Sequence, residues 1–289
     1  MLIATYSFLI RNLICKHKLN KMQNIPFTKN SYTQFEKLNN LPQFIKELRN
    51  RFNYKETINI AFLGYTDIML NSREWASLGI NEKELDNREN WKRLTAIHGR
   101  NDVQVVPTLS SVLKALIGNN FNLTIFDFTK YEGSEVEWDF NFEITDEFAN
   151  KFDIIIDSGT CEHIFNLPQA LININKMLKI NGIVWHGGPL CWPNHGFYGY
   201  NPTLFADFYE DNGCQIIEMF LRASLGNQEH LTISKLPKYE RFKMSQVLQN
   251  NAKWLALEYN LLVFVKKVKE CSNTIYPIQR KYRETSVWQ

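Results

Sequence analysis

Between residues 57 and 213 the chain alternates short apolar runs with amphipathic stretches, and that alternation constrains its fold more than any other feature of the sequence. The runs are TINIAFLG (57–64), FNLTIFD (121–127), KFDIIIDSG (151–159) and IVWHGG (183–188), with a shorter and more polar one, EVEWDF, at 135–140. A strand that is apolar on both faces must be covered on both faces, the habit of parallel sheets wrapped by helices. Helices are predicted between the runs. PTLSSVLKALIGNN (107–120) sets Leu109, Leu113 and Leu116 on one face, with Pro107 near its start and Gly118 as a stop. NLPQALININKMLKI (166–180) stops at Asn181-Gly182, and NPTLFADFYEDNG (201–213) carries Pro202 in its first turn and Gly213 at its C-cap. Two later runs, CQIIEMFLRASL (214–225) and EYNLLVFVKKVK (258–269), complete seven strands. The expected fold class is α/β: a doubly wound, mostly parallel seven-stranded sheet.

The flanks read differently. Residues 32–52 place Phe35, Leu38, Leu41, Phe44 and Leu48 at helical spacing, so 1–56 is expected to be a helical N-terminal extension and 57–289 the α/β domain. Within the domain, the polar stretch 65–106 reads as an insertion of helical turns and loops, with Trp75 and Trp91 set among charges. The first 21 residues hold an apolar run that Arg11 interrupts after ten residues, too short for a membrane span of about 20. Basic residues follow that run rather than precede it, against a secretory signal, so a packed leading helix or a surface-touching amphipathic one is expected. Lys+Arg 33 against Asp+Glu 30 gives a net charge of +3, too balanced to argue for a nucleic-acid partner. Five scattered cysteines without a CxxC pair fit a reduced, cytoplasmic setting.

In doubly wound sheets ligands bind beyond the carboxyl ends of the strands, so the chemistry is sought in the residues that follow each run. There stand Gly64-Tyr65-Thr66, Asp127, Asp139, Asp157-Ser158-Gly159-Thr160-Cys161-Glu162-His163, and His186-Gly187-Gly188. A carboxylate such as Asp127 matches a vicinal diol with its two acceptor oxygens. His163 and His195 are the candidate bases, because imidazole titrates near neutral pH. His195 and Tyr198 lie in a Gly- and aromatic-rich loop (193–200) of the kind that closes on a substrate, and His186 ends a strand. No HxxxH or HxH spacing is present, so no metal site is expected, and Cys161 lacks the partners of a nucleophile.

Residues 152–189 resemble the region around the fourth and fifth strands of class I S-adenosylmethionine-dependent methyltransferases. The features shared are Phe152-Asp153, Asp157, Glu162-His163, Leu178-Lys179 and Asn181-Gly182. A Gly-Thr-x-Glu-His-x-Phe-Asn run, a later His-Gly-Phe-Tyr, Tyr131-Glu132-Gly133 and a closing Pro277-Ile278-Gln279 with Tyr282 resemble a bacterial subgroup. The resemblance implies a Rossmann-like fold and S-adenosylmethionine as cofactor. It assigns the ribose to Asp127, the adenine edge to Asp139 and the methionine end to Gly64. Asp157, Gly159 and Glu162 complete the cofactor-binding set, His163 and His195 are catalytic, and Tyr198 and His186 touch the substrate. The implied activity is methyl transfer to an oxygen or nitrogen of a small molecule, one that a sugar-containing compound would satisfy. The first loop departs from the family's pattern. It holds one glycine, in a chain with only 13, where the backbone would need to approach the methionine part. A non-catalytic binding or scaffold protein with a degenerate groove is therefore the alternative.

Overall fold

The computed structural model describes residues 45, 57–100, 102–131, 133–192, 195–225, 229–235 and 258–283. The predicted extension over 1–56 lies, apart from residue 45, outside the described residues. Eight strands form one sheet: β1 (Ile58–Leu63), β2 (Phe121–Asp127), β3 (Val136–Glu137), β4 (Phe152–Ser158), β5 (Leu178–Cys191), β6 (Cys214–Leu225), β7 (Glu229–Lys235) and β8 (Glu258–Lys267). Their order is β3-β2-β1-β4-β5-β8-β6-β7. The pairs from β3 to β5 are parallel, and β8 is antiparallel to both β5 and β6. The fold is a Rossmann-like, doubly wound α/β sheet, and β7 extends its far edge as the hairpin partner of β6. The sheet is laid down from β1 outward in both directions, so the order reverses between β1 and β4. That reversal opens the crevice in which such sheets hold ligands.

The central strands are apolar on both faces because both are covered. Ala61, Leu63, Phe126, Phe152, Ile155 and Val184 share one core cluster with α4 (Leu167–Met177) and α5 (Pro202–Asp211). Phe126 anchors it, edge-on to Phe140, Phe148 and Phe152 at centroid distances of 5.8, 4.9 and 5.8 Å. A third helix, α3 (Leu109–Ile117), crosses from β1 to β2 and buries Leu109, Val112, Leu113, Leu116 and Ile117. The short edge strand β3 is completed by a side chain: Glu135 Oε2 accepts from Ile125 N at 2.6 Å.

Two local expectations are corrected. The helix predicted over 166–180 ends at Met177, and β5 begins at once. The buried amine of Lys267 stops it, donating to Asn175 O, Leu178 O and Asn150 Oδ1 at 2.9, 2.9 and 3.0 Å. A cation there satisfies carbonyls that a continuing helix would have used. The 65–106 insertion is more than turns and loops. Helix α1 (Ser72–Ser77) opens on a capping box between Asn71 and Glu74, and Trp75 is fully buried. Leu94 on α2 (Trp91–Ile97) packs with Val103 and Val106, against Met69 and Trp91, as a separate small core. No helix among the described residues is long and apolar enough to cross a membrane.

Candidate active site

The loops after β1, β2, β4 and β5 converge at the carboxyl edge. The first turns at Gly64, whose φ of +72° is the left-handed region that glycine enters without strain. A Cβ there would lie 2.6 Å from Thr160 Oγ1, which itself donates to Leu63 O at 2.6 Å. The loops after β1 and β4 are thereby locked together, and this glycine is required by its neighbour within the chain. The next residue, Tyr65, packs between the start of α3, the insertion and Gly133. Its hydroxyl accepts from Leu109 N at the start of α3 (3.3 Å), and Arg88, paired with Asp67, lies 4.0 Å above its ring. The insertion thus clamps the Tyr65 ring in place beside the first loop.

Asp127 is half-buried at the end of β2, and its carboxylate takes one long hydrogen bond among the described residues, from Thr129 N at 3.4 Å. Asp139 beyond β3 is more committed: its Oδ1 accepts from Asn141 N and Nδ2 at 2.9 and 2.7 Å.

Behind the β4 loop runs a buried polar chain. Asp157 Oδ1 accepts from Thr160 N and Cys161 N, both at 3.1 Å, which folds the loop into a turn of 3₁₀ helix at Cys161–His163. Asp157 Oδ2 meets His186 Nδ1 at 2.7 Å and the Tyr200 hydroxyl at 2.8 Å. With Nδ1–H donating to Asp157, His186 Nε2 accepts from the Tyr209 hydroxyl at 2.6 Å. Burial works to raise the Asp157 carboxyl, but His186, Cys161 N–H and Tyr200 outweigh it and hold it below the usual range. The same burial pushes the Cys161, Tyr200 and Tyr209 protons toward retention.

Tyr200 also reaches Glu162 Oε2 at 3.1 Å, so one hydroxyl proton faces two carboxylates and the shorter contact is with Asp157. Glu162 is buried, and burial together with the Asp157 charge pushes it up to about 7. The loop bearing His195 docks on this residue by its backbone. Phe197 N and Tyr198 N donate to Glu162 O at 2.7 and 3.3 Å. Gly196, at φ +69°, makes the approach: a Cβ would lie 2.7 Å from the same carbonyl. Docking brings His195 beside His163, rings 4.9 Å apart, with Trp192 on the other side of His195 at 4.8 Å. Burial and His195 lower the His163 pKa. Phe165 and Phe197 form an exposed edge-to-face pair (5.5 Å) next to them.

Of the residues named from sequence, Glu162, His163 and His195 form one cluster. Gly64 and Gly159 flank the β1–β4 crevice, and Asp127 and Asp139 stand along the same edge. Two expectations change. His186 has 0% exposure, so its side chain meets no substrate and instead orients Asp157. Asp157 also has 0% exposure and spends both oxygens within the chain. The Tyr198 hydroxyl is occupied by Phe165 O at 2.8 Å, tying the two loops together. Sequence reasoning missed Tyr200, Thr160 and Tyr209. Tyr200 carried a signal in its place in the aromatic loop, and Thr160 in the Gly-Thr-x-Glu-His run.

No family model matches the chain, and no curated protein matches it by sequence. Among solved structures it is similar to the CurJ carbon methyltransferase (TM-score 0.42, 9% identity, 79% of this chain and 53% of that chain). It is also similar to the methyltransferase (CMeT) domain of the citrinin polyketide synthase (TM-score 0.41, 10% identity, 80% and 52%). A third is a SAM-dependent methyltransferase from Aquifex aeolicus (TM-score 0.37, 9% identity, 82% and 100%). The chain spans about half the length of the first two. Likenesses this distant say nothing of activity, and the fold stands on its own strand order.

Proposed function

We propose that the chain is an S-adenosylmethionine-dependent methyltransferase acting on an oxygen or nitrogen of a small molecule, with a sugar-containing acceptor as the class to try first. One juxtaposition carries the reading. The under-bonded carboxylate of Asp127 and the Gly64 turn lie along the same carboxyl edge as the Glu162–His163–His195 cluster. Sequence resemblance adds to it.

When bound, S-adenosylmethionine supplies an electrophilic methyl on a sulfonium. Asp127 fits a ribose diol, since its oxygens are largely unclaimed. Asp139 fits an exocyclic amine less well, because Asn141 already uses one of its oxygens. Gly64 and Gly159, with φ values of +72° and +83°, turn the loops after β1 and β4 beside the crevice. His163 or His195 takes the acceptor's proton as its lone pair attacks, and Phe165 and Phe197 offer an apolar surface to the acceptor. The chain contributes mainly by holding acceptor, carbon and leaving sulfur in line.

The test is calorimetric titration with S-adenosylhomocysteine. Wild type is expected to bind and Asp127→Ala to lose about 1.5–3 kcal/mol, at least tenfold in Kd. Equal affinity in the variant overturns the ribose assignment. A second reading, a non-catalytic scaffold on the same fold, is favoured by Tyr65, Arg88 and Asp67 filling the wall beyond Gly64. It predicts no binding in either protein.

A further inference from the structure

Glu162, His163 and His195 each offer one ligand atom, and these atoms lie within 4.8 Å of one another. Glu162 Oε1 is 3.9 Å from His163 Nε2 and 3.6 Å from His195 Nε2. These separations are too long for hydrogen bonds, which close to about 2.7–3.2 Å. They approach the ligand-to-ligand edge of a tetrahedral zinc-type centre, where bonds of about 2.1 Å imply an edge of about 3.4 Å. The carboxylate side chain is 1% exposed, while the two imidazoles are 50% and 39% exposed. Oε1 is the carboxylate oxygen that faces both histidines. Its partner Oε2 faces the Tyr200 hydroxyl, the kind of outer contact that fixes a metal-binding carboxylate. The adjacent trio of Asp157, Cys161 and His186 also converges, but it is sealed and its donors are spent on one another.

We infer that Glu162, His163 and His195 form a binding site for a divalent transition-metal ion of the zinc type, with an open position on its outward side. Two imidazoles and a carboxylate suit a borderline ion, and three protein donors leave a coordination position free. The spacing of these residues in sequence conceals the site, because its donors come from two loops that meet where Gly196 docks on Glu162. A bound ion takes the lone pairs that the histidines need for proton transfer. Metal and histidine base are therefore exclusive states of one cluster.

The test uses the full chain, stripped of metal by a chelator and titrated with Zn²⁺ by calorimetry and with Co²⁺ by visible absorption. One equivalent is expected to bind, with the absorption of four-coordinate cobalt. His163→Ala and His195→Ala should each weaken binding by more than the roughly 100-fold that outer partners are worth, and His98→Ala should change nothing. Both histidines are exposed enough to replace without unfolding the chain, which circular dichroism checks. No binding by wild type, or undiminished binding by the His163→Ala/His195→Ala double variant, overturns the site. S-adenosylhomocysteine titrated into the same metal-free protein reports on the proposed activity separately, so the loss of one reading leaves the other standing.

Discussion

Asp157 shows at the residue scale how a carboxylate that sequence assigns to a ligand serves the protein instead. Both its oxygens are consumed, by two backbone N–H groups on one side and by His186 and Tyr200 on the other. Asp157→Asn puts an amide where two donors already point, so the variant is expected to lose about 3 kcal/mol, read as an earlier urea midpoint at unchanged slope. An unshifted midpoint would remove Asp157 from this structural role. Gly64→Ala is expected to cost about 1–3 kcal/mol, because alanine at φ +72° is strained and its Cβ meets Thr160 Oγ1. A variant as stable as wild type would mean that the loop takes another path. The glycine itself was legible in sequence. Its reason was not, because Thr160 reaches it from another strand.

At the scale of elements, the docking of the 195–200 loop on the β4 loop decides whether the histidines meet. Gly196→Ala is expected to undock it, since the new Cβ would sit 2.7 Å from Glu162 O. The effect should be local: the Phe197 amide, bonded to Glu162 O at 2.7 Å, exchanges with solvent faster while the core amides keep their protection. Unchanged Phe197 protection would contradict the docking account. Strands β1, β2 and β4 were legible because continuous apolar runs have few other uses in a domain this size. The early end of α4 was not, since Lys267 enforces it from the far end of the chain. Strand β7 escaped notice because Glu229–Lys235 has no continuous apolar run. The histidine cluster was legible as residues but not as a cluster, because the pairing depends on a loop contact.

Across the whole molecule, the segment after β8 returns to strap α5. Asn212, 1% exposed, exchanges hydrogen bonds with Ile275 N and O, both at 2.8 Å. Arg280 N reaches Asp207 at 3.1 Å, and Arg283 pairs with Asp211 at 2.7 Å. Asn212→Ala removes both hydrogen bonds to the Ile275 backbone and is expected to cost about 1–2 kcal/mol, measured by denaturant unfolding. A loss no larger than an ordinary surface substitution would mean that the strap does not hold. The strap supports α5, whose Tyr209 supports His186, which holds Asp157 and through it the β4 loop.

The central claim, that this sheet edge holds S-adenosylmethionine, is tested most directly by the melting temperature of the full chain with S-adenosylhomocysteine. At a concentration 100 times Kd the ligand adds about 2.7 kcal/mol, a rise of roughly 4–5 °C for a chain of this length. The account predicts that rise in wild type and its loss in Asp127→Ala. An unmoved melting temperature at millimolar ligand would contradict it.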